Sequence, residues 1–281
     1  QGQAIPPRTW IPCQDSPGNR LTYNATIEVP TGMMALMSAE NPQQTSPDGK
    51  YSFKMAQPIA PYLIALAVGE LNFKPVGART GVYAEPSMLE QVAWEFEDME
   101  KMVTTAEGLY GPYDWGRFDV VVLPTGFPFG GMENPKLTFA TPTVVAGDRS
   151  LVSLVAHELA HSWSGNLVTN TTWNDFWLNE GFTVYFERRI MEALYGAEYT
   201  EMLAQLEYWE LLNELKDFGA DNPDTKLKGN FAGRNPDDGV TGIAYQKGSL
   251  FLIMLERLTD RAKWVEFLKS WFASHKFTSQ N

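Results

Sequence analysis

Four residues in the middle of the chain have the types and the spacing that a catalytic metal site requires. Residues 157–161 read His-Glu-Leu-Ala-His, and Glu180 follows after eighteen further residues. On a helix, His157 and His161 stack on one face one turn apart, and Glu158 lies about 100° around the axis from His157. The two imidazoles and the carboxylate of Glu180 can bind zinc at three tetrahedral positions and leave the fourth for water. Such a water has a pKa of roughly 7, and Glu158 is the predicted general base that takes its proton.

An isolated His-Glu-x-x-His pattern also occurs by chance on surface helices, so the surrounding sequence has to decide between the two interpretations. Residues 151–156 are apolar enough to form a buried helix, and residues 173–187 start a second helical pattern that can carry Glu180 back to the first. Two of the three histidines in the protein lie in this short segment. The pattern therefore favours one zinc ion per chain, with His157, His161 and Glu180 as its ligands.

The composition argues against several other classes of protein. Apolar residues make up 44% of the 281 residues, which is enough for a sizeable packed core. The formal net charge is −12 and no lysine- or arginine-rich run is present, so neither nucleic acid nor an anionic membrane surface is an expected partner. No apolar run reaches the length of a membrane span. Cys13 is the single cysteine, which excludes an intrachain disulfide and suits a cytoplasmic location.

The order of the predicted elements indicates an α+β protein in two parts. Residues 21–29 alternate between apolar and polar side chains, and the same alternation returns at Tyr51, Phe53 and Met55 after a turn signal at residues 46–49. A continuous apolar run at residues 64–68 predicts a buried strand. We therefore predict that residues 1–70 form the C-terminal part of an antiparallel β domain, and that residues 71–281 form a catalytic domain.

The second part alternates between predicted helices and strands. Ser87 and Glu90 have the spacing of a capping box, which predicts one helix that extends to Tyr110. Residues 118–123 are rich in β-branched side chains and predict a strand. Further helices are predicted through residues 187–194, from about 198 to 217 and over 243–258, and a long loop is predicted over 219–242.

Three separated motifs resemble, in the same order, those of the zinc aminopeptidases that carry a G-x-M-E-N exopeptidase motif. They are Gly-Gly-Met-Glu-Asn at residues 130–134, the zinc pattern of residues 157–180, and Ala-Tyr-Gln-Lys-Gly at residues 244–248. Within that family the sequence is most similar to the leukotriene A hydrolase and aminopeptidase branch. The resemblance implies a thermolysin-like catalytic domain. It also implies N- and C-terminal segments that are missing here, so part of a longer protein is expected.

The resemblance also implies a role for each matching residue. Glu133 would bind the free α-amine of a peptide substrate, and Tyr245 would donate a hydrogen bond to the tetrahedral oxyanion. Glu187, two turns after Glu180, is either a hydrogen-bond partner of a zinc histidine or a solvent-facing acid. The expected substrate-binding residues are Gln1, Gln3, Gly130, Gly131, Met132, Glu133 and Asp237.

Two departures from the family pattern leave the substrate open. Asp237 matches an aspartate with which the lipid-hydrolysing branch directs water at its epoxide product, but Val240 replaces a tyrosine of the same pocket. Phe129 stands where a tyrosine often precedes the glycine pair. The expected function is hydrolysis of the N-terminal peptide bond of short peptides. The alternatives are an enzyme that also hydrolyses a lipid epoxide, an inactive zinc-stabilised module, and an endopeptidase.

Overall fold

The computed structural model describes residues 7–219 and 221–281 and shows a mixture of helices and strands. The strands in the described part of the chain are β1 (Leu21–Glu28), β2 (Met34–Met37), β3 (Lys50–Ile59), β4 (Leu66–Gly69), β5 (Asn72–Pro75), β6 (Thr80–Ala84), β7 (Phe118–Val122), β8 (Gly131–Met132), β9 (Thr138–Ala140), β10 (Val168–Asn170) and β11 (Thr278–Gln280). The α-helices there are α1 (Leu89–Glu95), α2 (Met99–Tyr110), α3 (Ser153–Ala160), α4 (Trp177–Tyr195), α5 (Ala197–Phe218), α6 (Gly248–Thr259) and α7 (Arg261–Ser274). Among the described residues, no helix is both long enough and apolar enough to span a membrane.

The strands of the first part of the chain pair antiparallel. β1 pairs with β3, and β2 pairs with β4. Along β1 the side chains alternate between half-buried and exposed, because only one face of the strand packs on the core. Tyr51, Phe53 and Met55 of β3 are buried on that face. The apolar run at residues 64–68 is only partly a strand, since β4 begins at Leu66.

A five-stranded sheet with the strand order β5-β6-β7-β9-β8 supports the second part. β7 is the predicted strand at residues 118–123, and it lies parallel to both β6 and β9. β8 pairs antiparallel with β9 at the edge of the sheet, through Gly131 and Met132. Because Glu133 follows directly after β8, the edge of the sheet determines where its backbone lies.

The single helix predicted over residues 87–110 is wrong, because the structure has two helices, α1 and α2, with a break between them. The predicted capping box is also absent: Met88 is the N-cap residue and makes no side-chain capping hydrogen bond. The carboxylate of Glu90 pairs instead with Lys74 of β5. At the end of α1, buried Glu95 accepts hydrogen bonds from the backbone N–H groups of Gly147 and Arg149.

Helix α4 is the central helix of the second part and packs against α2, α3, α5 and α6. Its Phe186 is fully buried and stacks on Tyr110 of α2, with the ring centroids 3.7 Å apart. Tyr110 in turn makes an edge contact with Trp163, which follows α3. These aromatic contacts fix α4 relative to α3, which is the pair of helices that carries the candidate metal ligands.

Arg20 joins the first part of the chain to the second. Its guanidinium donates hydrogen bonds to the carbonyl oxygens of Pro58 at 2.6 Å and Asn166 at 2.6 Å, and to the hydroxyl of Thr169. It also lies 5.9 Å from the ring centroid of Phe277. Burial lowers the pKa of Arg20 to about 10. The side chain is therefore a partly buried cation satisfied by neutral oxygens, and its planar fork reaches three separate segments at once.

Replacing Arg20 by lysine should destabilise the protein by about 2–4 kcal/mol, because an ammonium cannot reach these acceptors together and leaves buried oxygens unpaired. The free energy of unfolding in urea measures the loss. The control is Arg8→Lys, since Arg8 is 67% exposed and pairs at the surface with Asp15. The control should stay within about 0.5 kcal/mol of the unmodified protein. Equal effects of the two substitutions would contradict this role of Arg20.

Candidate active site

Helices α3 and α4 bring three potential metal ligands to a common point. His157 and His161 lie one turn apart on α3 and at its C-terminal end, and Glu180 lies in the first turn of α4. The Nε2 atoms of both histidines lie 3.4 Å from the same carboxylate oxygen, Oε2 of Glu180. The predicted convergence of these three side chains is therefore present in the structure.

The other nitrogen of each imidazole is held by a hydrogen-bond partner. Nδ1 of His157 lies 3.0 Å from a carboxylate oxygen of Glu187, so it is the protonated nitrogen that donates. Nδ1 of His161 lies 3.1 Å from the carbonyl oxygen of Ser164 and 3.1 Å from the hydroxyl of Thr183. Both Nε2 lone pairs are thereby left free to face Glu180. Glu187 is a buried partner of His157 and not a solvent-facing acid.

The three donor atoms have the arrangement that zinc requires. With zinc–nitrogen distances of about 2.0–2.1 Å, neighbouring ligands of a tetrahedral ion lie about 3.4 Å apart, which matches both histidine–glutamate distances. Oε2 of Glu180 is buried and has no hydrogen-bond partner among the described residues. A buried carboxylate oxygen without a partner costs free energy that a bound cation would offset. The donor set therefore fits zinc.

Glu158 lies beside these ligands and is buried at 5% exposure. Its Oε2 atom has no hydrogen-bond partner in the described part of the chain, and a Cβ atom built at Gly131 would lie 2.2 Å from its Oε1 atom. Burial raises the pKa of Glu158 to about 8, although the two nearby imidazoles act in the opposite direction. A carboxylate whose proton affinity is raised by burial is suited to accept a proton.

Glu133 brings a further carboxylate to the same group of side chains. It follows β8, is buried at 8% exposure, and lies with Glu158 and His161 in a group whose ligand atoms are all within 4.8 Å of one another. Burial raises the pKa of Glu133, against the effect of His161. Two carboxylates held this close attract a cationic group, such as the ammonium of a peptide N-terminus.

Tyr245 lies next to the three potential metal ligands, in contact with His157. It lies in a five-residue π-helical turn, Ile243–Lys247, directly before α6. Its ring stacks on that of His157, with centroids 6.1 Å apart and planes inclined by 12°. Burial raises the pKa of Tyr245 well above its usual value, so the hydroxyl keeps its proton and remains a donor.

The remaining predicted residues divide into three groups. Gly131 and Met132 form the edge strand β8, and Gly131 lies against the side chain of Glu158. Gly130 lies against Leu154 of α3. Asp237 lies exposed in a short 3-10 turn, where its backbone N–H and its carboxylate bond to the side chain of Asn235. Gln1 and Gln3 lie outside the described residues.

With this geometry, similarity to known proteins identifies the family. The model of the peptidase family M1 domain matches residues 94–281, which include all the predicted site residues except Gln1 and Gln3. The chain belongs to peptidase family M1.

The whole chain is similar to proteins of two kinds, leukotriene A-4 hydrolases and aminopeptidases B. Leukotriene A-4 hydrolase of Xenopus laevis is 48% identical over 99% of this chain and 47% of its own length. Aminopeptidase B of Rattus norvegicus is 46% identical over 99% of this chain and 43% of its own length. The chain thus spans less than half the length of these relatives.

Solved structures agree with the M1 assignment. Yeast LTA4 hydrolase in complex with bestatin superposes with a TM-score of 0.92, at 40% identity over 98% of this chain and 44% of that chain. An M1 zinc metallopeptidase from Deinococcus radiodurans superposes with a TM-score of 0.76 at 22% identity, which shows a common fold.

Several residues that shape the M1 site were not among the predicted site residues. Ser164 and Thr183 both donate hydrogen bonds to the backbone carbonyl of Asn179, at 2.7 and 2.9 Å, and so hold the first turn of α4 beside α3. Gly181 meets Gly248 where α4 crosses α6, and a Cβ atom at Gly181 would lie 2.9 Å from the Cα of Gly248. The pattern of residues gave one signal for these positions: glycines directly beside Glu180 and shortly after Tyr245.

Replacing Gly181 by alanine should destabilise the M1 domain by about 1–3 kcal/mol, because the added methyl group overlaps backbone atoms that cannot move independently. The overlap is with Gly248 and with the carbonyl oxygen of Ala244, at 3.1 Å, in the turn that carries Tyr245. The matched control is Gly108→Ala in α2, where a Cβ atom has open space around it. That control should stabilise by about 0.4–1 kcal/mol. Thermal unfolding of both variants measures the difference, and stabilisation by both would refute the close-contact argument.

Proposed function

We propose that this protein is a zinc aminopeptidase that removes N-terminal residues from short peptides. The observation that carries the proposal is the position of Glu133, whose buried carboxylate lies within 4.8 Å of ligand atoms of Glu158 and His161. An enzyme that cuts only the first peptide bond needs an anionic group for the substrate ammonium at a short, fixed distance from the reacting carbonyl. The names of the related aminopeptidase B proteins support the same reaction.

One zinc ion per chain would be held by His157, His161 and Glu180. When bound, the ion supplies a Lewis acid that polarises the scissile carbonyl and acidifies water. The hydrogen bonds from Nδ1 of the histidines to Glu187, Ser164 and Thr183 orient both rings for this role.

Glu158 acts as the general base of the proposed reaction. It accepts a proton from the attacking water and then passes it to the leaving amine. Its carboxylate lies against the backbone of Gly131, where no side chain limits the approach of a substrate. Burial raises the pKa of Glu158, which favours the protonated form that the second step requires.

Glu133 holds the substrate amine, with Gln1 and Gln3 as proposed assistants. Gly130, Gly131 and Met132 bind the substrate backbone beside the edge strand, and Tyr245 donates its hydroxyl proton as a hydrogen bond to the oxyanion. The stacking of Tyr245 on His157 and the retained phenolic proton support this role.

We also propose a division of the chain into two domains. Residues 71–281 would form a thermolysin-like catalytic domain, and residues 1–70 the end of an antiparallel β domain. Peptides with a free N-terminus are the proposed substrates. A cytoplasmic location is a prediction that rests on the single cysteine, Cys13.

Hydrolysis of a lipid epoxide at the same site is the second candidate. The name of the Xenopus laevis relative favours it. A small pocket whose lining includes Trp173, Phe176 and Ile243 adjoins the turn that carries Tyr245. Asp237, the residue expected to direct water in that reaction, bonds to Asn235 at the surface. This contact and Val240 favour the peptidase, and an assay with a lipid epoxide on the same preparation distinguishes the two.

The substitution Glu158→Gln should lower kcat by about 10²–10⁴-fold and leave the zinc content at one ion per chain, because the amide cannot accept a proton but has the same shape. Turnover on a peptide anilide and metal analysis of the purified variant are the two measurements. Glu97→Gln is the control, since Glu97 pairs with Arg149 at the surface. Retained turnover in Glu158→Gln would remove this residue from the role of base.

The test of the proposed function compares a peptide anilide that has a free amine with its N-acetylated form. The unmodified protein should cut only the first, lose the activity to a chelator and regain it with zinc. Glu133→Gln should raise KM for the free-amine substrate by about 10–100-fold, because a charge-assisted contact with the ammonium is worth roughly 1.5–3 kcal/mol. Cleavage of both substrates at similar rates would make the enzyme an endopeptidase.

A further inference from the structure

Asn166 connects the two ends of the candidate site through hydrogen bonds. It lies in the segment between α3 and β10 and is 1% exposed. Its backbone N–H donates to the carbonyl oxygen of His161 at 3.1 Å. Its side-chain Nδ2 donates to the carbonyl oxygen of Glu133 at 2.7 Å. One residue is thereby bonded to the main chain of a metal ligand and to the main chain of the amine-binding carboxylate.

The side chain of Asn166 supplies a hydrogen-bond donor to the carbonyl of Glu133 where the sheet supplies none. The β8–β9 ladder ends with the pair Met132 and Phe139, so the carbonyl of Glu133 lies beyond the last paired residue of the edge strand. A buried backbone carbonyl needs a donor, and Asn166 provides it. The Oδ1 atom of Asn166 has no hydrogen-bond partner among the described residues. The side chain is therefore held at its amide nitrogen, through Glu133.

The main chain of Asn166 is in turn held by Arg20. The guanidinium of Arg20 donates to the carbonyl oxygen of Asn166 at 2.6 Å and to that of Pro58 in β3 at 2.6 Å. The amide group that donates to Glu133 therefore projects from a backbone fixed at both its N–H and its carbonyl group. A fixed backbone limits how far the side-chain donor, and with it Glu133, can move relative to His161.

We propose that Asn166 is a positioning residue that sets the distance between the amine-binding carboxylate of Glu133 and the metal-binding end of α3, and thereby selects the first peptide bond. The inference rests on the proposed aminopeptidase function. In a substrate, one tetrahedral carbon separates the α-amine from the scissile carbonyl, so the protein must hold its two recognition points at a matching distance. A misplacement of about 1 Å costs roughly 10²-fold in rate.

Three substrates test the distance: an α-alanyl anilide, its N-acetylated form, and a β-alanyl anilide with one more methylene between amine and carbonyl. In Asn166→Ala, kcat/KM for the α-alanyl substrate should fall by about 10–100-fold. The preference for the α-alanyl over the β-alanyl substrate should fall by about tenfold or more, because Glu133 can then shift to meet the longer spacing. Zinc content should stay at one ion per chain.

The matched control is Asn170→Ala. Asn170 is also a buried asparagine whose Nδ2 donates to a backbone carbonyl, that of Thr172 at 2.9 Å. Its Oδ1 accepts a hydrogen bond from Nδ2 of Asn179 at 3.4 Å, and its side chain does not bond to Glu133. This variant should lose similar stability and keep the α-to-β preference of the unmodified protein. Arg20→Lys should lower that preference in the same direction as Asn166→Ala, which provides a second variant should Asn166→Ala fail to fold.

The outcomes separate the inference from the proposed function. If the unmodified protein cuts the acetylated substrate as well as the free one, the aminopeptidase proposal fails, and the inference fails with it. If the unmodified protein discriminates but Asn166→Ala loses all activities in parallel, Asn166 has only a structural role. An unchanged α-to-β preference in both Asn166→Ala and Arg20→Lys would equally overturn the inference.

Discussion

The site depends on the packing of α3 against α4, which places two imidazole nitrogens 3.4 Å from one buried carboxylate oxygen. This arrangement is electrostatically costly by itself. Four carboxylates, those of Glu133, Glu158, Glu180 and Glu187, are buried around two imidazoles. Desolvation makes each additional negative charge expensive, and the raised pKa values of Glu133 and Glu158 express that cost. A divalent cation at the shared oxygen is the simplest compensation for the excess.

Such a crowded site can form only where the backbone leaves room for the carboxylates. Gly131 has no Cβ atom at the position where Glu158 lies, and Gly181 allows the crossing of α4 and α6 that brings Tyr245 to His157. Both glycines are therefore needed because they allow close contact, and not for their backbone conformation, since neither has a positive φ angle. The buried carboxylate at Gly131 and the helix crossing at Gly181 thus both require a residue without a Cβ atom.

The sequence predicted the parts of the site that depend on local periodicity. The spacing of His157 and His161 follows helical geometry and was readable, as was the alternation in β1 and β3. Glu180 was assigned from the second helical pattern, which can carry it back to the first. The capping box failed because Glu90 pairs with Lys74, a residue distant in sequence. Asn166 could not be found in this way, since its partner is a backbone carbonyl 33 residues earlier, and any residue supplies a carbonyl. Helix α7 was missed although Asp260 caps it.

The segment before residue 94 contributes to the site although the M1 family model does not include it. Arg20 holds the main chain of Asn166, and the hydroxyl of Tyr62 accepts a hydrogen bond from Nδ2 of Asn179 at 3.2 Å, directly before Glu180. The Tyr62 contact is buried and the Arg20 contact is part-buried, so each would leave a polar group unpaired if the β segment moved away. The β segment is therefore an integral support of the M1 site: it contacts Asn166, which bonds to the main chain of Glu133, and Asn179, which directly precedes Glu180.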